Sequence, residues 1–157
     1  MSPTILKFLP MAAPIAIQFE DFWYVVALSK QLKPQTVLQR IVLDEWLVIF
    51  RGDDGQPVAL RDRCLHRNTR LSGGKVHQGQ LQCPYHGWRY APTGQVVDIP
   101  AEGDRFTPSE NRCAKVYDTC EQDGYVYVRL RGAVANQPFA MPHYRQPGWE
   151  TVRVVIR

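Results

Sequence analysis

The chain has 157 residues, enough for one domain with a hydrophobic core and too few for two full-sized ones. Apolar residues at 45% and charged residues at 22% exclude a disordered chain and a membrane bundle, while a formal charge of +4 decides little by its total. Nucleic-acid binding would need a recognition helix or a known aromatic-faced module, and the sequence carries neither.

Residues 1–20 read as an N-terminal arm. Met1 to Ile17 is apolar, but Pro3, Pro10 and Pro14 interrupt it and Lys7 sits within it, so it is too short and too broken to span a bilayer. From Trp23 onward the apolar runs are short, rich in Val, Ile, Tyr and Trp, and separated by Gly, Pro and Asp, which is a strand signature. Strands are expected near Trp23–Leu28, Val37–Leu43, Leu47–Arg51, Val58–Arg61, Lys115–Asp118 and Tyr125–Leu130. Asp44-Glu45-Trp46 reads as a tight hairpin turn and Gly52-Asp53-Asp54-Gly55 as another. The alternation from Tyr125 to Leu130 gives one face to a core. Meandering antiparallel strands of this kind close into a small barrel or sandwich, so the fold class is mostly β, over about residues 21–132.

Between Cys64 and Pro100 the texture changes. Gly73-Gly74, Pro84, Gly87, Pro92 and Gly94 mark loops, with brief strand-like pieces at Gln80–Gln82 and Gln95–Val97. This predicts a loop-built subdomain at about residues 62–100, inserted into the barrel. Residues 133–157 have linker composition and then a strand-like run, Thr151–Ile156, as in a chain that leads on to a further domain. A domain of this size needs no disulfide staples, so a reducing compartment, the cytoplasm, is expected. Cys113 and Cys120 are expected to be buried apolar residues.

The chemistry is carried by Cys64-Leu65-His66, a gap of sixteen residues, and then Cys83-Pro84-Tyr85-His86. Each half supplies one thiolate and one imidazole. Two loop tips side by side would offer four ligands, one Cys pair and one His pair. A Rieske [2Fe–2S] centre requires that split, because His replaces Cys on one of its two irons. A structural Zn²⁺ also accepts two Cys and two His, although common zinc fingers pair Cys with Cys and His with His along the chain.

These residues resemble a known family. The ligand pattern, with His66-Arg67, Leu71-Ser72-Gly73-Gly74, Cys83-Pro84-Tyr85-His86-Gly87-Trp88 and Ile99-Pro100, is similar to the N-terminal domain of Rieske non-haem iron oxygenases, from about Phe22 to Leu130. The resemblance implies one [2Fe–2S] cluster, with Cys64 and Cys83 on an inner iron, His66 and His86 on an outer one, and Arg67, Gly87 and Trp88 around them. It implies a flavin- or ferredoxin-type reductase as electron donor, a mononuclear-iron oxygenase domain or subunit as acceptor, and is compatible with a homo-oligomer. Electrons would leave through an exposed imidazole edge.

The quinol-oxidising branch of the family carries an extra Cys in each ligand loop and a Ser after the second loop's Gly; here Tyr85 and Trp88 stand near those places. Fewer hydrogen bonds to sulfur imply a potential toward the low end of the Rieske range, roughly −150 mV. One departure concerns loop shape: where the oxygenases often have Gly-Ala after His-Arg, this chain has Asn68-Thr69-Arg70.

Three functional readings follow: the cluster domain of an oxygenase, a stand-alone Rieske ferredoxin, or a zinc-stabilised binding module. After the pattern takes its pair, only His77 and His143 remain, too few and too scattered for the two-His, one-carboxylate iron site of the oxygenases. Arg61, Arg63, Arg67, Arg70, Lys75 and Arg89 lie around the proposed ligands, offset only by Asp62: a basic rim suited to an acidic redox partner or, equally, a solvated loop surface that helps neutralise an anionic cluster.

Overall fold

The computed structural model describes residues 18–132 and 137–152. The N-terminal stretch to Ile17 and most of the strand-like run Thr151–Ile156 lie outside the described residues. Among the described residues there are ten strands and four short 3-10 turns: β1 Trp23–Leu28, β2 Leu38–Val42, β3 Glu45–Arg51, β4 Pro57–Arg61, β5 Lys75–His77, β6 Gln80–Gln82, β7 Arg89–Tyr90, β8 Val96–Asp98, β9 Val116–Gln122 and β10 Tyr125–Arg129. None of their helices is long and apolar enough to cross a membrane.

Six strands form one antiparallel sheet in the order β1-β10-β9-β4-β3-β2. Its two ends approach each other through a side chain. Val26 is the extra residue of a bulge in β1, and its carbonyl accepts a hydrogen bond from Arg40 Nε on β2. The result is a nearly closed barrel. The remaining strands form a second antiparallel sheet, β5-β6-β7-β8, so the inserted subdomain is more regular than the loop-rich sequence suggests.

Three hairpins share one turn chemistry. Leu43-Asp44, Gln78-Gly79 and Asp123-Gly124 all have positive φ at both central residues, the turn whose twist matches that of the flanking strands. The first replaces the turn expected at Asp44-Glu45-Trp46: Val42 pairs with Glu45, and Glu45 and Trp46 belong to β3. At Gly79 the close approach is decisive, since a Cβ there would lie 2.2 Å from the Asp53 backbone nitrogen. That contact sets the subdomain hairpin against the barrel turn that follows β3.

β3 is buried on both faces. Alternation sends Leu47 and Ile49 into the barrel with Val26, Tyr117, Val126 and Val128, and sends Val48 and Phe50 into a second core with Leu71, Leu81, Tyr90 and Val96. Burying side chains of this size contributes about 1.5–3 kcal/mol each. The second core therefore fastens the subdomain to the outside of the barrel, and Cys64 and Cys83 are part of it.

Two cysteine expectations are corrected. Cys113 is exposed and Cys120 only partly buried. Residue 113 bridges to Gln95 with its side chain outward, where its thiol meets the Thr93 carbonyl at 3.3 Å, and the next residue, Ala114, takes the core position.

Candidate metal centre

The first candidate ligand loop follows β4, and the second joins β6 to β7. They have the same internal bonding. In the first, Cys64 N–H donates to Thr69 O at 2.8 Å and Asn68 N–H to Cys64 O at 2.9 Å; in the second, Cys83 N–H donates to Trp88 O at 2.8 Å and Gly87 N–H to Cys83 O at 3.2 Å. The residue that turns each loop has a positive φ, 57° at Asn68 and 75° at Gly87. Asn tolerates this left-handed region better than other side chains, and its Oδ1 accepts from Arg63 Nε at 2.7 Å. Asn68 thus turns the first loop with the same bonding with which Gly87 turns the second.

The two loops bring the expected donors together as two pairs, one of cysteines and one of histidines. Cys64 and Cys83 are 1% and 3% exposed, within mutual hydrogen-bonding reach. His66 and His86 are exposed, with ring centroids 4.5 Å apart and planes at 61°. Sulfur lies inward and nitrogen outward. Trp88 stacks parallel to His66 at 5.0 Å, and Tyr85 leans on His86 at 3.8 Å. Gly87 sits beneath Pro100, whose Cγ would be 3.1 Å from a Cβ at that position. Arg67 is exposed next to His66.

Burial, then the nearby Cys64, pushes the Cys83 thiol up, so a thiolate pair in this place requires metal cations to compensate it. Desolvation, then the charges of His86 and Arg67, holds the His66 imidazole below its ordinary value, which favours the neutral, ligating form. Among the described residues no group of three or more His, Cys, Asp or Glu side chains is placed to hold one metal ion. Two donor pairs suit two metals.

Two residues beyond the expected set enter the site. Tyr90 is fully buried; its hydroxyl lies 3.2 Å from Cys64 Sγ and accepts the Leu65 N–H at 3.0 Å. Asp62 has a side chain with no exposure, and its only sequence signal is an acid placed directly after the buried strand β4. The remaining histidines lie elsewhere: His77 is exposed at the end of β5, and His143 stacks on Trp149.

The basic rim is partly neutralised. Arg89 pairs with Asp98 at 2.9 Å, Arg61 approaches Glu45 at 3.7 Å, and Arg70 approaches Asp62 at 3.8 Å while lying over the Trp46 ring. Arg63, Arg67 and Lys75 stay exposed.

A small antiparallel barrel carrying two such ligand-loop tips defines an iron–sulfur electron-transfer domain. Residues 22–118 match the model of the Rieske [2Fe-2S] domain, and the chain belongs to that family; it holds one Rieske-type [2Fe–2S] cluster. It is 40% identical over 115 residues to chlorophyllide a oxygenase of Arabidopsis thaliana, covering 73% of this chain and 20% of that protein. It is 34% identical over 133 residues to the oxygenase component of dicamba O-demethylase of Stenotrophomonas maltophilia, covering 83% and 38%. The crystal structure of dicamba monooxygenase bound to dicamba superposes with a TM-score of 0.68 at 32% identity, covering 78% of this chain and 36% of that one. The chain thus spans well under half the length of these relatives.

Proposed function

We propose that this chain is the electron-accepting domain of a Rieske non-haem iron oxygenase system, taking electrons singly from a flavin- or ferredoxin-type reductase and yielding them to a mononuclear-iron oxygenase domain or subunit. Residues 21–132 form the working unit in this reading, with 133–157 as linker. Cys64 and Cys83 would hold one iron, and His66 and His86 the other. When bound, the cluster supplies reversible one-electron chemistry.

The observation that carries the reading is the polarity of the site: both thiols buried, both imidazoles exposed. Leu71, Leu81 and Tyr90 pack on the sulfur side and exclude water. On the nitrogen side His66 and His86 present an open edge, flanked by exposed Leu65 and Tyr85, so a partner reaches the histidines and not the cysteines. Exposed Arg63 and Arg67 beside that edge favour an acidic partner surface. A reducing compartment such as the cytoplasm fits free thiols; the plant relatives are chloroplastic proteins.

The test is the visible absorption and EPR spectrum of the purified protein, with iron and sulfide counted per chain, followed by oxygen uptake when reductase and oxygenase components are added. A colourless protein holding zinc would overturn the reading. A reducible cluster that supports no oxygen uptake with any oxygenase component would remove the oxygenase assignment.

A further inference from the structure

The two ligand loops share their internal bonds but differ in how they are anchored. The second is the tip of a hairpin: Leu81 pairs with Tyr90 and Gln82 with Arg89, so a ladder clamps both of its ends. The first leaves β4 and runs into the 3-10 turn Leu71–Gly73, and no ladder joins its ends among the described residues.

One carboxylate stands where that ladder is lacking. Asp62 Oδ1 accepts the Ser72 N–H at 2.7 Å, and Oδ2 accepts Ser72 Oγ–H at 2.7 Å and Gln39 Nε2–H at 3.0 Å. The Asp62 N–H donates to Trp46 O at 2.8 Å, and Arg70 supplies the nearest positive charge at 3.8 Å. A single side chain therefore joins the start of the first loop, its far end and strand β2. A buried charge costs several kcal/mol unless it is paired and hydrogen-bonded, and here it is both.

We propose that Asp62 is a positioning residue for the metal centre, a clasp that closes the first ligand loop and fixes Cys64 and His66 as the β6–β7 ladder fixes Cys83 and His86. The inference rests on the reading of Cys64 and His66 as ligands. Through Gln39 the clasp also ties the loop to the barrel wall, so the spacing between the two loop tips is set by the barrel frame.

The test compares Asp62→Ala, Asp62→Asn and a control, Val126→Ala, in the cluster-loaded protein. Asp62→Ala should keep its β circular dichroism but lose iron to a chelator about tenfold faster or more, the usual scale for removing a group that orients a ligand. Its EPR signal should broaden, as the first loop samples several geometries. Asp62→Asn keeps an oxygen for the Ser72 amide and should restore most of the retention. Val126→Ala, buried in the barrel core, should lower the melting temperature and leave both readouts unchanged. Wild-type release and line shape in Asp62→Ala, or the same changes in Val126→Ala, would overturn the clasp. Should Asp62→Ala not fold, Ser72→Ala removes one of its bonds: faster release supports the proposal and wild-type behaviour defeats it. A wild-type protein without a Rieske signal, or His66→Ala with an unaltered one, brings down the ligand reading as well; silent Asp62 variants beside a normal wild type and an altered His66→Ala remove the clasp alone.

Discussion

The Tyr90 hydroxyl lies 3.2 Å from Cys64 Sγ, across 26 residues of sequence. Burial, followed by the bond to Cys64, pushes the phenol above its ordinary range, so it stays protonated. Its oxygen accepts the Leu65 N–H, and toward a metal-bound Cys64 thiolate, which has no proton to give, the phenol is the donor.

Tyr90→Phe should therefore lower the reduction potential. A donor to a thiolate stabilises the more negative, reduced state more than the oxidised one. A difference of about 1 kcal/mol between the two states corresponds to about 40 mV for one electron. The ring and its packing remain, so the cluster should still be retained. Voltammetry giving an unchanged or higher potential would refute the role.

At Asn68 the backbone turns through φ 57°. Asn68→Gly should keep the cluster, since Gly adopts this conformation freely, although the bond to Arg63 is lost. Asn68→Val places a β-branched side chain in the left-handed region at a cost of about 1–2 kcal/mol. Calorimetry should show a melting temperature lower by about 2–8 °C, with less iron per chain. Equal stability of the Gly and Val variants would show that the turn is not strained.

These two residues mark the limit of what the chain states about itself. The candidate donor pattern is legible because the Cys and His of each loop sit within a few residues, and β3 is legible because burial on both faces leaves the unbroken apolar run Leu47–Phe50. The short strands β5 and β7 show no period to detect. The turn falls at Leu43-Asp44, and nothing in a Leu announces a positive φ. The outward direction of Cys113 depends on a bridge to Gln95, which no local pattern announces. Tyr90 and Asp62 act on partners brought close only by the closed fold, and no local pattern encodes such contacts.

Far from the loops, Arg51 and Glu121 form a bidentate pair at 2.7 and 2.9 Å, and Arg51 also donates to the carbonyls of Leu32 and Gly55. The hydrogen bond from Arg51 holds the Glu121 carboxyl below its ordinary value. A carboxyl with a depressed folded pKa contributes stability that is full above the unfolded value, about 4.3, and is lost as pH falls through the folded one. The pair is partly solvent-screened, so its contribution is about 1 kcal/mol or less. Melting curves between pH 7 and pH 3 should show a shallower acid loss for Glu121→Gln than for the wild type. Parallel curves would assign the acid sensitivity to other carboxylates.

His86→Ala and Cys113→Ala separate ligand from bystander. His86 projects from the second loop against His66, and in the proposed ligand set its replacement leaves one iron a donor short. Because the barrel core of Leu47, Ile49, Val126 and Val128 is distinct from the core that includes Cys64 and Cys83, His86→Ala should bleach or disorder the chromophore while circular dichroism still reports β-structure. Cys113 lies outside that second core with its thiol on the Thr93 carbonyl, so Cys113→Ala should keep full colour and iron content. The reverse pattern, colour lost from Cys113→Ala and kept in His86→Ala, would mean that the donors are wrongly assigned even though the fold is right, since neither change disturbs the barrel interior.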